Sequence, residues 1–208
     1  MEFVNWKPIY KEIISDFDYS EKQDRKAAKV LSKLRDSDSL SPLNELRDQT
    51  VEIIGPYFSG EKHSSKSSLI AAGSSLTNII KNEVQPDLLV TDLDGDTRLQ
   101  LEINLDGVPA VIHAHGDNIP LLKRWAKKFH GHVICTCQCR PSHDGIYNFG
   151  GFTDGDRACF IADHFEAKEI ILNGWDFEEP FKGDENKRKK LRWAKKLIKK
   201  LNTPFKRI

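Results

Sequence analysis

The sequence predicts an α/β protein, with a three-layer and largely parallel sheet flanked by helices. Two observations lead to this prediction. Short apolar stretches alternate with helical stretches from residue 51 onward, and three acidic segments follow predicted strands. Strands that alternate with helices form parallel sheets, because each crossover helix returns the chain to the same end of the sheet. A chain of 208 residues also buries roughly 70% of its unfolded surface, which is enough for a substantial core.

The first fifty residues are predicted to be helical. The segment Ser20 to Gln23 has the pattern of a capping box, and it precedes apolar residues that recur near a 3.6-residue period from Ala27 to Leu34. The pair Ser41-Pro42 is typical of the start of another short helix. We therefore expect an N-terminal helical segment over residues 1–50.

The remaining elements follow from the alternation of apolar runs and turn residues. Residues 60–68 are predicted to form a polar, flexible loop. Predicted strands cover 51–54, 69–72, 86–91, 108–113, 133–139 and 169–173, and predicted helices begin at Ser74 and cover 121–129, with Trp125 on the apolar side, and 156–165. We assign residues 51–181 to one α/β catalytic domain, and residues 182–208 to a basic C-terminal helix packed on it.

Composition narrows the class of protein. The net charge of +1 hides a segregation, because aspartates concentrate in the middle of the chain while lysines and arginines accumulate after Lys182. No apolar run reaches the roughly 18 residues of a membrane span, and the N-terminus lacks a signal-peptide core, so we expect a cytoplasmic protein.

Three of the four cysteines, Cys135, Cys137 and Cys139, share one predicted strand without the C-x-x-C spacing of zinc sites. We expect small core residues there.

Three acidic segments are the most informative feature of the chain. Aspartates occur in residues 90–96, 112–118 and 150–157, each after a predicted strand. Crowded carboxylates repel one another unless a hard cation or a protonated partner lies between them. Asp92 and Asp94 are two apart on an extended segment, so both can face one cation. Ligands of open α/β sheets bind beyond the carboxyl ends of the strands, which is where these segments lie.

Other interpretations of these segments stay open. Asp154 or Asp156 could simply cap the helix that follows. The pattern His113-x-His115-x-Asp117 is similar to a zinc-hydrolase ligand set, although polar residues at a strand end, or residues that face a substrate, have the same pattern. The segment from Gly55 onward is similar to a phosphate-binding P-loop, but a glutamate displaces the required lysine.

Together, the segments 88–96, 111–118 and 148–158 resemble the archaeal 6-hydroxymethyl-7,8-dihydropterin pyrophosphokinases, which are relatives of the thiamine pyrophosphokinases. The resemblance covers about residues 51–177. It implies Mg²⁺-dependent transfer of pyrophosphate from ATP to the pterin hydroxymethyl group, which leaves AMP, in archaeal methanopterin or folate biosynthesis. Two departures are the first glycine loop, where Gly55-Pro56-Tyr57-Phe58 replaces a turn with Pro-Ser-Leu, and the triple cysteine.

The resemblance also implies roles for individual residues. Asp92 and Asp94 would be the principal, catalytic metal ligands, with Asp117 and Asp154 as further ligands or as holders of metal-bound water. Arg157 could pair with a phosphate, and Phe149 or Phe152 could stack on the heterocycle. The expected contacts to pterin or ATP are His113, His115, Asn118, Gly150, Gly151, Phe152, Thr153, Asp156 and Arg157. A homodimer is expected from the related kinases.

Three alternatives compete with this interpretation. Thiamine or another heterocyclic alcohol could be the acceptor, because the metal site handles ATP while other residues select the nucleophile. A more distant alternative is the related domain of some glycosyltransferase-like proteins. The third is a non-catalytic, basic nucleic-acid-binding protein that uses the C-terminal helix over residues 184–202. That hypothesis leaves the aspartates unexplained, because they would repel a phosphate backbone.

Overall fold

The computed structural model describes residues 1–60, 63–179 and 185–208. Within these residues, the α-helices are α1 (Phe3–Asp16), α2 (Glu21–Leu34), α3 (Ser41–Asn44), α4 (Leu76–Lys81), α5 (Thr97–Leu105), α6 (Ile119–Trp125), α7 (Asp154–His164) and α8 (Glu185–Ile198). The strands are β1 (Thr50–Ile54), β2 (Ser68–Ala72), β3 (Leu88–Thr91), β4 (Ala110–Ala114), β5 (Val133–Cys137), β6 (Ile146–Tyr147), β7 (Glu169–Asn173) and β8 (Phe205–Arg207). They form a parallel sheet in the order β6-β5-β4-β3-β2-β1-β7-β8, which confirms the predicted fold class.

The chain divides into two compact units. Unit 1 comprises residues 1–40 and 91–150. Its strands β4 and β5 pair in parallel from Ala110 opposite Val133 onward, and β6 extends this pairing with Ile146 opposite Cys135. Helix α2 packs against β4, β5 and α6. The aromatic side chains of Trp6 on α1 and Phe129 are completely enclosed in the core of this unit.

Unit 2 comprises residues 41–90 and 151–208. Strand β1 pairs in parallel with β2 on one side and with β7 on the other, with Ile53 opposite both Ile70 and Leu172. All three of these side chains are buried. Strand β8 pairs with β7, and helix α7 packs against β1, β2 and α8. The central strands are therefore largely apolar, as expected for strands covered on both faces, although β1 also buries Glu52.

Several boundaries differ from the predicted ones. Helix α2 begins at Glu21 as expected, but the Ser20 side chain makes no capping hydrogen bond, so the predicted capping box is wrong. Helix α6 begins at Ile119 and tightens into a 3₁₀ turn after Trp125. The Trp125 ring is half-buried, and the cationic groups of Arg124 and Lys128 lie over it. Strand β5 ends at Cys137 instead of residue 139. Strands β6 and β8 were not predicted, because two or three residues carry too little periodicity.

The four cysteines, Cys135, Cys137, Cys139 and Cys159, are all buried free thiols, which confirms their prediction as core residues. Helix α8 buries Ala194, Leu197 and Ile198. Residues 61–62 of the predicted loop, and residues 180–184 around the start of the predicted C-terminal segment, lie outside the described residues. No helix within the described ranges combines the length and the apolar content needed to cross a membrane.

Candidate active site

The loop after β3 carries Asp92 and Asp94 in unit 1, and a small polar network holds its shape. The Thr91 hydroxyl accepts a hydrogen bond from the Leu93 N–H (2.9 Å) and donates one to Gln100 Oε1 (3.0 Å). The Gln100 side-chain amide then donates to the Asp94 carbonyl oxygen (2.8 Å). Thr91 and Gln100 are both buried. Helix α5 therefore fixes the conformation of the loop through the buried side chain of Gln100.

Leu93 lies in the left-handed region with φ of +69°, and Gly95 follows with φ of +80°. A non-glycine residue in this region costs roughly 1 kcal/mol, and here burial of the whole Leu93 side chain compensates for that cost. Because Leu93 points into the core, its neighbours Asp92 and Asp94 remain at the surface, half-buried and exposed respectively. The loop thus presents two carboxylates side by side.

The three aspartates of this loop differ in their hydrogen bonds. Asp92 Oδ1 accepts the Asp94 N–H (3.1 Å), and Asp94 Oδ1 accepts the Gly95 N–H (2.7 Å). No hydrogen bond within the described residues engages Asp94 Oδ2. Asp96 instead caps helix α5 by accepting the Leu99 N–H (3.2 Å). Asp92 and Asp94 thus each use one carboxylate oxygen to shape the loop, whereas Asp96 caps helix α5.

Asn118 joins this loop to the turn after β4. Its side-chain amide donates to the carbonyl oxygens of Asp92 (2.8 Å) and His113 (2.7 Å), and its Oδ1 accepts the His115 N–H (3.0 Å). The side chain is buried. We predicted a contact from Asn118 to pterin or phosphate. The structure uses these amide groups to join the two loops, and the predicted ligand contact of Asn118 stays a prediction.

The two histidines occupy different environments. His113 is buried, and its Nδ1 lies 3.0 Å from the Thr136 hydroxyl. His115 is half-buried, and its Nε2 lies 3.4 Å from Asp92 Oδ2. Their rings are stacked with centroids 6.3 Å apart. Within the described ranges, no group of three or more His, Cys, Asp or Glu side chains could hold a metal ion, so the zinc-hydrolase ligand set does not form there.

In unit 2, the start of helix α7 is held by Asp156. Its carboxylate accepts the N–H groups of Phe152 (2.6 Å) and Thr153 (2.8 Å), and it also accepts the Thr153 hydroxyl. Asp156 is completely buried, and this burial raises its pKa. The observed contacts of Asp156 therefore agree with the alternative interpretation, in which this carboxylate stabilises the start of helix α7.

Arg157 and Asp154 form an ion pair on the same helix. The Arg157 guanidinium donates to Asp154 Oδ1 (3.0 Å) and to the Phe152 carbonyl oxygen (3.0 Å), and the side chain is buried. Asp154 Oδ2 lies only 2.5 Å from where a Cβ of Gly73 would stand, so a glycine is needed there. Gly151, with φ of +88°, similarly permits close contact with the Arg157 backbone. These residues pack against one another, and the predicted ligand contacts of Arg157 and Gly151 stay predictions.

The remaining predicted contacts are placed as follows. Gly150 has φ of +94°, and its N–H donates to the Asn148 side chain. Phe149 and Phe152 are buried, with the Phe149 ring stacked on Tyr147. Asp117 is exposed beside His115 in the turn after β4. The Phe152 ring lies under the Lys190 ammonium. None of these positions by itself shows a ligand.

A polar cavity of about 210 Å³ lies in unit 1, and the predicted site residues His115 and Asp117 line it. Sequence reasoning missed two further residues of its lining, Asp24 and Gln138. A signal was present: Asp24 stands on the otherwise apolar face of helix α2, among Ala27, Ala28 and Leu31. An acidic residue on a buried helix face requires polar partners, which the periodicity alone could not name.

A second cavity, of about 750 Å³, lies in unit 2. Trp175, Phe177 and Phe205 contribute aromatic rings, and Lys199 and Arg207 contribute positive charge. Gly55, at the start of the segment similar to a P-loop, packs directly against the Gly174 carbonyl and Trp175, while positions 61–62 of that segment lie outside the described residues.

The parallel sheet and the acidic loop after β3 define the chain as an α/β protein that presents carboxylates where such sheets bind ligands. Residues 60–180 match the family described as 6-hydroxymethylpterin diphosphokinase MptE-like. The chain belongs to this family, which confirms the resemblance of its three acidic segments and the enzyme class that they imply.

Curated archaeal relatives extend the match. The chain is 37% identical to the 6-hydroxymethyl-7,8-dihydropterin pyrophosphokinase of Pyrococcus furiosus, and 35% identical to that of Methanocaldococcus jannaschii. It is 32% identical to that of Methanothermobacter thermautotrophicus. These alignments cover 95% of this chain and 93–95% of the relatives. The similarity therefore extends beyond residues 51–177, where the sequence motifs lie.

Proposed function

We propose that this chain transfers pyrophosphate from ATP to the hydroxymethyl group of 6-hydroxymethyl-7,8-dihydropterin, in a Mg²⁺-dependent reaction that releases AMP. The supporting observation is the carboxylate pair of Asp92 and Asp94 on a loop fixed by buried hydrogen bonds. Family membership supports the acceptor. We place the reaction in the cytoplasm, where ATP is available, as a step in methanopterin or folate biosynthesis.

The carboxylate pair fits magnesium better than zinc. Magnesium usually binds through one or two carboxylates, several waters and the phosphates of its substrate, whereas zinc sites use three or four protein ligands. Unit 1 offers Asp92 and Asp94, with no larger ligand group among the described residues. Magnesium, when bound there, neutralises phosphate charge and aligns the reacting oxygens.

The remaining polar groups of unit 1 have supporting roles in this proposal. The pterin hydroxyl oxygen bonds to the β-phosphorus while its proton passes to solvent, the bond from that phosphorus to the α,β-bridging oxygen breaks, and AMP leaves with the bridging oxygen. His115 orients Asp92 from 3.4 Å. Asp117, exposed in the same turn, can hold metal-bound water. Asp154 as a ligand and Arg157 as a phosphate contact stay predictions, because the two groups already pair with each other.

The test is a chromatographic assay of the purified protein with ATP, MgCl₂ and 6-hydroxymethyl-7,8-dihydropterin. We expect AMP and a pterin diphosphate, and we expect a chelator to abolish both products. A parallel reaction supplies thiamine as the acceptor, and it should leave ATP intact. Turnover with thiamine but not with the pterin would transfer the proposal to the related acceptor, and intact ATP with both would refute it.

The nucleic-acid alternative has less support. On helix α8, Arg188 lies near Glu179, Arg192 near Glu185, and Lys195 near Glu178. Several of the basic side chains are therefore already paired with carboxylates of unit 2. A homodimer remains a prediction from the resemblance, and sedimentation analysis tests it directly.

A further inference from the structure

The polar cavity of unit 1 lies directly beside the proposed metal-binding loop. It is bounded by the turn between α1 and α2, by the turn after β4, and by Gln138 after β5. His115 lines this cavity and also lies 3.4 Å from Asp92. One histidine thus separates the cavity from the carboxylate that we assign to the metal.

A buried carboxylate organises the floor of this cavity. Asp24 Oδ2 accepts the Tyr10 hydroxyl (2.6 Å) and the Gln138 side-chain amide (2.9 Å), while Oδ1 accepts the Gly116 N–H (2.7 Å). Burial, and then this hydrogen bond to Asp24, raise the pKa of Tyr10, so its hydroxyl remains a donor. Asp24 is therefore satisfied by the protein and fixes the groups around it.

Gln138 is the group that this network leaves with an unused acceptor. Its backbone oxygen accepts the Trp6 indole N–H (2.8 Å), and its amide nitrogen donates to Asp24. Because the nitrogen is committed to Asp24, the side chain is locked in one orientation. No hydrogen bond within the described residues engages Gln138 Oε1, although the side chain is more than nine-tenths buried. The oxygen is not fully enclosed, so it can accept a hydrogen bond from a ligand in the cavity that Gln138 lines.

The size and chemistry of the cavity select among the substrates. Pockets for drug-sized ligands are typically about 300–1,000 Å³, and a cavity of about 210 Å³ is small for a nucleoside triphosphate but suits a flat bicyclic ring. A pterin carries N–H donors along its pyrimidine edge, which complement the Gln138 acceptor. Its hydroxymethyl group, on the opposite ring, must reach the metal-bound phosphates.

We propose that this cavity binds the pterin ring of the acceptor, with Gln138 Oε1 accepting an N–H of the pyrimidine edge. Asp24 acts as a positioning residue that orients Gln138. This inference rests on the proposed function. It assigns acceptor recognition to the N-terminal helices, because α1 and α2 supply Tyr10, Asp24 and the turn between them.

The test uses two variants in the full chain. Gln138→Leu removes the acceptor, and Ser20→Trp fills the mouth of the cavity from an exposed position whose side chain makes no capping hydrogen bond. Ser15→Trp, exposed on α1 outside the lining, is the matched control. Equilibrium binding of 6-hydroxymethyl-7,8-dihydropterin is measured by its fluorescence, and binding of Mg²⁺ with a non-hydrolysable ATP analogue is measured by calorimetry.

We expect Gln138→Leu to weaken pterin binding roughly tenfold, and Ser20→Trp to abolish it. Nucleotide binding should stay within about twofold, and the control should match the parent. Unchanged pterin affinity in folded Ser20→Trp protein, or selective loss of nucleotide binding, would overturn the proposal. Failure of the proposed function can be distinguished from failure of this inference. If the proposed function is wrong, the parent protein itself forms no pterin diphosphate.

Discussion

The Asn118 side-chain amide donates a hydrogen bond to the backbone oxygen of Asp92 at 2.8 Å. The same nitrogen also reaches the carbonyl of His113, and both loops belong to unit 1. One buried side chain therefore sets the distance between the carboxylate loop after β3 and the histidine turn after β4. A residue that touches no substrate in our proposal can thus control catalysis by placing the groups that do.

We expect replacement of Asn118 to lower turnover by a larger factor than the accompanying loss of stability would explain. Asn118→Ala removes the buried side-chain donor that bonds to the carbonyl oxygens of Asp92 and His113, at a cost of about 1–3 kcal/mol in the free energy of unfolding. A misplacement of about 1 Å can reduce turnover about a hundredfold. Steady-state kinetics and urea unfolding test both effects, with exposed Asn5→Ala as the control. Unchanged kinetics in a destabilised variant would refute the positioning role.

Asp94 should be essential for turnover and dispensable for folding. Asp94→Asn removes one charged oxygen ligand from an exposed loop position, so we expect a large fall in kcat, on the order of a hundredfold or more, with a nearly unchanged melting temperature. Asp106→Asn, which makes the same charge change at an exposed position after α5, should behave as the parent. Normal magnesium-dependent turnover of Asp94→Asn would show that this carboxylate is not a ligand.

His115 distinguishes the magnesium hypothesis from the zinc hypothesis. Because its Nε2 lies beside Asp92 Oδ2, His115→Ala should weaken activity by freeing that carboxylate, without loss of a tightly held metal. Elemental analysis of purified parent and variant, combined with a magnesium titration of turnover, measures both. Stoichiometric zinc in the parent that disappears in the variant would support a hydrolase-type site.

Asp156 should make stability depend on pH. Burial raises its pKa in the folded state above the unfolded value of about 3.9. Its titration therefore contributes stability that is fully present below the unfolded pKa and is lost as the pH rises through the folded pKa. Relative to Asp156→Asn, the parent should lose unfolding free energy as the pH rises, over the range from about pH 4 upward. Urea unfolding across this range measures the difference, and a difference that grows with pH would contradict the prediction.

The cysteines should be unreactive in the native protein. Burial raises the pKa of Cys135 to about 12 and that of Cys159 well above its usual range, and only the thiolate is a nucleophile. With Ellman's reagent at pH 8, we expect slow release from folded protein and four equivalents in denaturant, from the four buried thiols. Rapid reaction of one native thiol would indicate an accessible, functional cysteine.

The sequence predicts the strands and the acidic loops because both depend on local patterns. Residues 170–172 are apolar at the centre of β7, and Asp92 and Asp94 alternate around a buried leucine. The roles of Asn118 and Asp24 could not be predicted in this way. Asn118 bonds to Asp92, 26 residues away, and Asp24 bonds to Gln138, 114 residues away. No period in a sequence encodes such contacts.

The stoichiometry of the nucleotide product tests the central claim most directly. Purified protein is supplied with ATP, Mg²⁺ and 6-hydroxymethyl-7,8-dihydropterin, and the nucleotides and pterins are separated and counted during the first turnovers. Attack at the β-phosphorus predicts one AMP for each pterin diphosphate, with no ADP. Equimolar ADP and pterin monophosphate would show attack at the γ-phosphorus and would contradict the pyrophosphokinase assignment.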